Sequence, residues 1–243
     1  MARIDYDSLP KEFIKLYFKT LESKMGLVPP IKKKEDDDTD EKEKKTPLEY
    51  AEELIDPSKN EDRFYKLDLS DGTKEIAKLL SDEEIVDFRK IAIEVTGSKV
   101  ERSPAYMINQ HMFGAFKDYL LSLNDLNMKK DSMDEDEYEK EYFENEARLH
   151  RDLLHIHPFE DYNGRTARTI LTINLLKNGY APAIIDSENK KEYISYSENN
   201  DIFGFRDFFR TESKKEEINL MKSYEYFINN EEVLPIKGSK LKK

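Results

Sequence analysis

Apolar residues in this chain recur every three or four positions and almost nowhere in strict alternation. Phe13, Ile14, Tyr17, Leu21 and Met25 do so, as do Tyr142, Ala147, Leu149, Leu153, Leu154 and Ile156. That spacing lays one stripe of side chains along a helix, whereas a half-buried strand needs a period of two. Apolar residues make up only 37% of the 243, against 38% charged, so these stripes are the main material for a core. No alternation of strand and helix patterns occurs. The expected fold is mainly α, with one small hairpin at 94–104, where EVTGSKVERSP breaks the helical pattern with a β-branched pair and a Gly.

Composition narrows the function classes. The formal net charge is -12, which disfavours broad attraction to nucleic acid or anionic lipid while leaving room for a local basic pocket. There is no Cys, so disulfides and thiolate metal sites are excluded. The N-terminal MARIDYDSLP lacks a secretory pattern, and no apolar run approaches the ~18 residues that would span a bilayer. Cytoplasmic is the expected compartment; export or injection into another cell would leave no recognisable mark.

Three regions are expected: an N-terminal helical piece at 1–28, a charged linker or loop at 29–46, and one domain at 47–243. Within the first, a helix over 5–25 is predicted with Ser8 as its N-cap and Pro10 in its first turn. VPPIKKKEDDDTDEKEKKTP carries almost nothing apolar and reads as a solvated tether. A helix at 47–55, a turn at 56–58 and a turn at Asp71–Gly72 follow. Ser81-Asp82-Glu83-Glu84 has the form of a capping box opening a helix through Ile85, Phe88, Ile91 and Ala92. Further helices are expected at 105–124, with Met107, His111, Phe113, Phe116, Tyr119 and Leu120 on one face, and at 136–156 after an acidic loop. Another is expected over TARTILTINLLKNGY, from 166 to a stop at Asn178–Gly179, with two more near 188–197 and 203–229.

The chemistry concentrates in HPFEDYNGRTAR, residues 157–168, of a chain with only four His and eight Gly. His157 ends a helix beside Pro158, which discourages its continuation. Phe159 is an apolar anchor, and Glu160 and Asp161 offer carboxylates, one of which could hold a hard divalent cation. Asn163–Gly164 precede a new helix, whose first N–H groups and dipole attract anions. Arg165 and Arg168 share a face of its first turn, and their guanidinium forks match phosphate oxygens. A base, a carboxylate, an anion nest and two Arg suit phosphoryl or nucleotidyl transfer. Taken singly, each has a plainer use: His157 as a cap, Asp161 and Asn163 as turn residues, the Arg pair as partners of surface carboxylates. As transition-metal ligands, His150, His155 and His157 are a poor set, because the first two diverge by roughly 140° around a helix axis.

HPFEDYNGRTAR resembles the signature of the Fic family, His-x-Phe-x-Asp/Glu-Gly/Ala-Asn-Gly-Arg-x-x-Arg. The likeness runs from HRDLLHIHPF at 150 through NGYAPAII at 178–185 and more weakly to KKEYISYSENND at 190–201. It implies a helical bundle with a β-hairpin flap, here at 94–104, and a nucleotidyltransferase that moves AMP from ATP to a Ser, Thr or Tyr hydroxyl of a target protein. By that resemblance His157 is the general base and Asp161 holds Mg²⁺. Asn163, Gly164, Arg165 and Arg168 contact the phosphates, and Phe159 is the structural anchor. Tyr193 and Tyr196 are the candidate walls of a base pocket.

Two departures from the family pattern matter. Tyr162 stands where the family has a small residue; if the backbone needs a positive φ there, the strain is about 1–2 kcal/mol. The inhibitory pattern Ser/Thr-x-x-x-Glu-Gly/Asn is not matched anywhere, and Ser213 to Glu217 supplies only its first half. A separate, antitoxin-like inhibitory protein is one expectation that follows. The competing functional readings are a catalytically weak Fic-like module that binds nucleotide or a partner, and transfer of another nucleotide or phosphate-linked group.

Overall fold

Helical stripes become helices where caps and stops support them. The computed structural model describes residues 3–25, 69–81 and 86–231, and in these it contains seven α-helices. They are α1 (Lys11–Met25), α2 (Leu69–Ser81), α3 (Ile108–Lys129), α4 (Glu135–Ile156), α5 (Asn163–Lys177), α6 (Lys190–Glu198) and α7 (Ile202–Glu231). The linker expected at 29–46, the helix at 47–55 and the turn at 56–58 lie outside the described residues. No helix among the described residues is long and apolar enough to cross a membrane.

α4 is the centre of the bundle and packs against α3, α5 and α7. Its two halves feed two apolar clusters. Tyr138, Tyr142, Phe143 and Ala147 join Leu171, Tyr180, Phe205 and Phe209 in one. Leu149, Leu153 and Ile156 join Met112, Ile170, Ile173 and residues of α1 in the other. Phe13, Tyr17, Phe18, Leu21 and Met25 of α1 are buried there, so the N-terminal helix is docked on the core. Asp134 caps the start of α4 by accepting the Asp136 N–H at 2.9 Å. α5 ends in a Schellman turn at Gly179 (φ 76°), where Tyr180 N–H reaches the Leu175 carbonyl and Gly179 N–H reaches that of Leu176.

Several expected boundaries move. Asp71–Gly72 is not a turn but lies in the first turn of α2. Ser81 is the last residue of that helix, not an N-cap, and its hydroxyl donates back to the Lys78 carbonyl at 3.1 Å. From 86 to 104 the chain is irregular, so the helix expected through Phe88 and Ile91 does not continue there. Phe88 and Arg89 are buried while Ile91 is 58% exposed; two apolar residues at helical spacing were coincidence, not a stripe. Ser8 closes its own short 3-10 turn by donating to the Asp5 carbonyl and does not cap α1. The acidic loop before α4 shrinks to Met133–Asp134, because α3 and a 3-10 turn run through Ser132. On α3, Phe116 is buried as expected, while Phe113 and Leu120 face outward and Ile108, Met112 and Ala115 are buried in their place.

The expected β-hairpin is present only as a turn. Ser98 N–H bonds the Val95 carbonyl at 3.0 Å around Gly97 (φ 81°), and no β-strand occurs among the described residues. The arms on either side bond elsewhere. Glu198, at the end of α6, accepts from Ser98 Oγ at 2.7 Å and from Lys99 N–H at 2.8 Å. Arg89 takes the carbonyls of Ile91 and Ser103.

Candidate active site

Two left-handed residues bracket the motif loop. α4 closes at His157, with φ 52° and ψ 63°, its N–H bonded to the Leu153 carbonyl at 3.1 Å. Pro158 makes further right-handed helix unfavourable at this position, and the left-handed cap turns the chain out of the helix. The His157 ring lies against the end of α4, with Nδ1 3.3 Å from the Leu154 carbonyl. A carbonyl only accepts, so this contact puts the proton on Nδ1 and leaves the Nε2 lone pair free. Burial pushes the imidazole pKa down to about 4, and the nearby Arg102 and Arg89 cations push the same way. At neutral pH the ring is uncharged.

Phe159 is buried against Phe88, with ring centroids 5.5 Å apart. Its backbone is held at both polar groups by one side chain. Phe159 N–H donates to Asn163 Oδ1 at 2.9 Å, and Asn163 Nδ2 donates to the Phe159 carbonyl at 2.8 Å. Asn163 is itself buried, so its amide closes the loop and is already engaged there. The phosphate contact expected of this residue therefore competes with a structural role.

Tyr162 is the N-cap of α5 at φ 65° and ψ 1°, so the positive φ that strains a tyrosine is present here. Its carbonyl accepts the first helical bond, from Thr166 N–H at 2.8 Å. The ring lies under the Arg165 guanidinium, 4.1 Å from carbon to centroid, a cation–π contact. Arg165 also stands 3.8 Å from the Asp161 carboxylate, which is 76% exposed and accepts the Tyr162 N–H through its other oxygen at 2.5 Å. Replacing Tyr162 by Ala loses the ring contact and keeps the strain, whereas Gly relieves it. Chemical denaturation is expected to find Tyr162→Gly more stable than Tyr162→Ala by about 1 kcal/mol. Equal stabilities would mean that the left-handed turn is not held in solution.

The first N–H groups of α5 have no carbonyl one turn back within the helix. Gly164 lets Arg168 lie close beside it: a Cβ there would sit 3.3 Å from Arg168 Nη1. Arg168 Nε is buried and has no hydrogen-bond partner among the described residues. Behind it, Tyr193 and His150 are both buried, with His150 Nε2 2.9 Å from the Tyr193 hydroxyl. Burial, and then the Arg168 charge, push the His150 pKa down to about 3. Tyr193 thus backs the arginine and does not form an open wall for a base; Tyr196 is half-buried and bonds Glu192.

The four His are dispersed. His155 Nε2 lies 3.1 Å from the Ser197 carbonyl, and His111 Nδ1 2.7 Å from the Ser103 hydroxyl. The 213–217 segment lies inside α7, where buried Ser213 donates to the Ala181 carbonyl at 2.6 Å and Glu216 pairs with Lys24 at 3.1 Å. Sequence reasoning overlooked three residues that hold the site's surroundings: Arg89, Arg102 and Glu198. Arg102 donates to the Leu154 carbonyl at 3.1 Å and to Ser98 Oγ at 2.7 Å. Isolated charged residues in a chain with 40 Lys and Arg and 52 Asp and Glu carry no pattern that would have singled these out.

Comparison with known proteins is consistent with this loop. The Fic/DOC family model matches residues 74–175. The chain is 44% identical over 50 residues to "Protein adenylyltransferase Fic" of Aedes aegypti and of Culex quinquefasciatus, a stretch that is 21% of this chain and 10% of each relative. The match thus spans about a tenth of those proteins. Among solved structures, the chain is similar to a Fic domain containing signaling protein from Bacteroides thetaiotaomicron VPI-5482, with TM-score 0.49 and 20% identity over 79% of this chain and 73% of that one. It is similar also to residues 134–508 of Fic-1 from C. elegans, with TM-score 0.45 and 23% identity over 67% and 44% of the two chains. With the signature loop joining α4 to α5 inside the matched region, residues 74–175 belong to the Fic/DOC family.

Proposed function

We propose that this protein is an adenylyltransferase that moves AMP from ATP to a Ser, Thr or Tyr hydroxyl of a target protein. The observation that carries the reading is the bracketed loop. It sets a neutral His157, with an unprotonated Nε2, across one short turn from an exposed carboxylate and from the amide-rich start of α5, where Arg168 lies beside Gly164. The two mosquito relatives, each a protein adenylyltransferase by name, support the same chemistry. In the reaction the target hydroxyl oxygen forms a bond to the α-phosphorus of ATP. Its proton passes to His157 Nε2, and the bond from the α-phosphorus to the bridging oxygen breaks, releasing diphosphate. Gly164 N–H, its helical neighbours, Arg165 and Arg168 bind and orient the phosphate chain, and Phe159 and Asn163 keep the loop in shape.

The residues present fit Mg²⁺ delivered with the nucleotide. Asp161 is an exposed carboxylate beside the likewise exposed Glu160, and Mg²⁺ commonly takes one or two protein carboxylates with phosphates and waters completing its octahedron. Among the described residues no group of three His, Cys, Asp or Glu could hold a metal ion by itself. When bound, the cation would neutralise phosphate charge in the ground and transition states. Asp161 would have to exchange its contact with Arg165 for it, which frees that guanidinium for phosphate. Besides the target, the partner expected is a separate inhibitory protein of the antitoxin kind.

The test is intact mass of this protein and of candidate targets after incubation with ATP and Mg²⁺. One added AMP is the expected result. Because the groups named above read phosphate and not base, CTP, GTP and UTP form parallel arms; a gain with one of those alone would keep nucleotidyl transfer and replace the donor. ATP binding by calorimetry with no mass gain in any arm would overturn transfer in favour of a nucleotide-binding module.

A further inference from the structure

Arg89 lies 68 residues before His157 and is 3% exposed. Its guanidinium meets carbonyl oxygens from two places in the chain. Nε donates to the His157 carbonyl at 2.7 Å and Nη2 to that of Ile156 at 3.3 Å. Nη1 donates to the Ile91 carbonyl at 2.7 Å, and Nη2 also to that of Ser103 at 2.5 Å. Its own backbone N–H bonds the Pro158 carbonyl at 2.8 Å. The Ile156 and His157 oxygens lie at the end of α4, where a helix leaves carbonyls unpaired and carries partial negative charge. Ile91 and Ser103 are the two feet of the 91–103 segment that holds the Val95–Ser98 turn. Among the described residues no carboxylate pairs with Arg89, so its contacts are all to backbone.

We infer that Arg89 is a positioning residue for the His157 base, and that one rigid guanidinium joins the setting of that base to the setting of the 91–103 segment. The inference rests on the transfer reading above for its kinetic consequence, though not for its structural one. A guanidinium has five donors in a fixed plane and keeps its charge, so it can bridge divergent carbonyls. A lysine ammonium supplies three donors from a single point and cannot span the same set. Left-handed His157 is a strained conformation that persists only where its surroundings hold it. Arg89 binds that residue's own carbonyl and the amide plane that follows it, through the Pro158 oxygen.

Arg89→Lys and Arg89→Gln test this in two ways. With ATP and Mg²⁺, kcat should fall by about 10–100-fold, the scale of a misplaced catalytic group, while KM for ATP changes by less than about threefold. The phosphate-facing groups on α5 do not touch Arg89, which is why the two constants should separate. In the nucleotide-free protein, amides of 91–103 and those of His157 and Phe159 should exchange with solvent at least about tenfold faster, with those of 142–150 unchanged. Faster exchange throughout α4, or loss of the fold in both variants, would make Arg89 a stability residue only and overturn the inference. So would wild-type exchange in both segments. If the wild-type protein transfers no nucleotide, the transfer reading fails while the exchange result still decides the role of Arg89.

Discussion

His157→Ala is expected to lower AMP transfer by about 10²–10⁴-fold, the usual contribution of a positioned general base, with unfolding in denaturant close to wild type. The pH dependence is the sharper expectation. Burial, followed by Arg102 and Arg89, lowers the His157 pKa from 6.5 to about 4. The acid limb of kcat/KM should therefore lie well below pH 6.5, with activity flat from about pH 8 down to about 5. The same shift has a stability consequence. Between the folded and unfolded pKa values the unfolded chain binds more protons, so stability rises with pH in that window. The contribution of neutral His157 is complete above the unfolded value and is lost as pH falls through the folded one. His150, lowered to about 3, acts with the same sign. Removing His157 should accordingly make the variant less sensitive to acid than wild type between about pH 6.5 and 4. An acid limb at 6.5, or a wild-type rate in the Ala variant, would place the base elsewhere.

Periodicity carried the helices that have a full apolar stripe and a stop signal. α4, α5 and α7 were legible for that reason, and Gly179 ended α5 where Asn-Gly predicted. It fails at Asp71–Gly72, which reads as a turn although a Gly within a first helical turn is tolerated, and at Phe88 and Ile91, whose spacing mimics a stripe. The hairpin failed differently. Its turn formed at Val95–Ser98, but the arms bond Arg89 and Glu198 across separations of 14 to 100 residues, and local propensity does not report such contacts. At the site, the motif residues were legible because twelve adjacent positions carried them. Asn163 was legible as a polar residue at a helix start, yet its clamp on Phe159 depends on the loop's own geometry. The positive φ at Tyr162 could be posed as a condition and no more, because residues other than Gly, Asn and Asp rarely adopt it and no side-chain signal marks it.

Phe159→Ala is expected to be the most destabilising single change in the motif, by about 3–5 kcal/mol in chemical denaturation, the range for emptying a buried aromatic site. The argument starts from burial: Phe159 is 2% exposed and stacks at an angle on Phe88. Phe88 precedes Arg89, whose side chain binds the His157 carbonyl, so the cavity would open between the motif loop and the segment that braces it. Little nearby can collapse into the space, because Asn163 fixes the Phe159 backbone at both its N–H and its carbonyl. Phe159→Leu keeps most of the volume and should cost less than about 1.5 kcal/mol if the neighbours repack. The comparison separates anchoring from mere hydrophobicity. A leucine that restores stability without restoring transfer means that ring shape sets the loop. If leucine restores both, filling the pocket is enough to hold His157 and the start of α5 in register. An Ala variant as stable as wild type would mean that Phe159 is not seated in the core in solution, and the loop geometry on which the base assignment depends would fall with it.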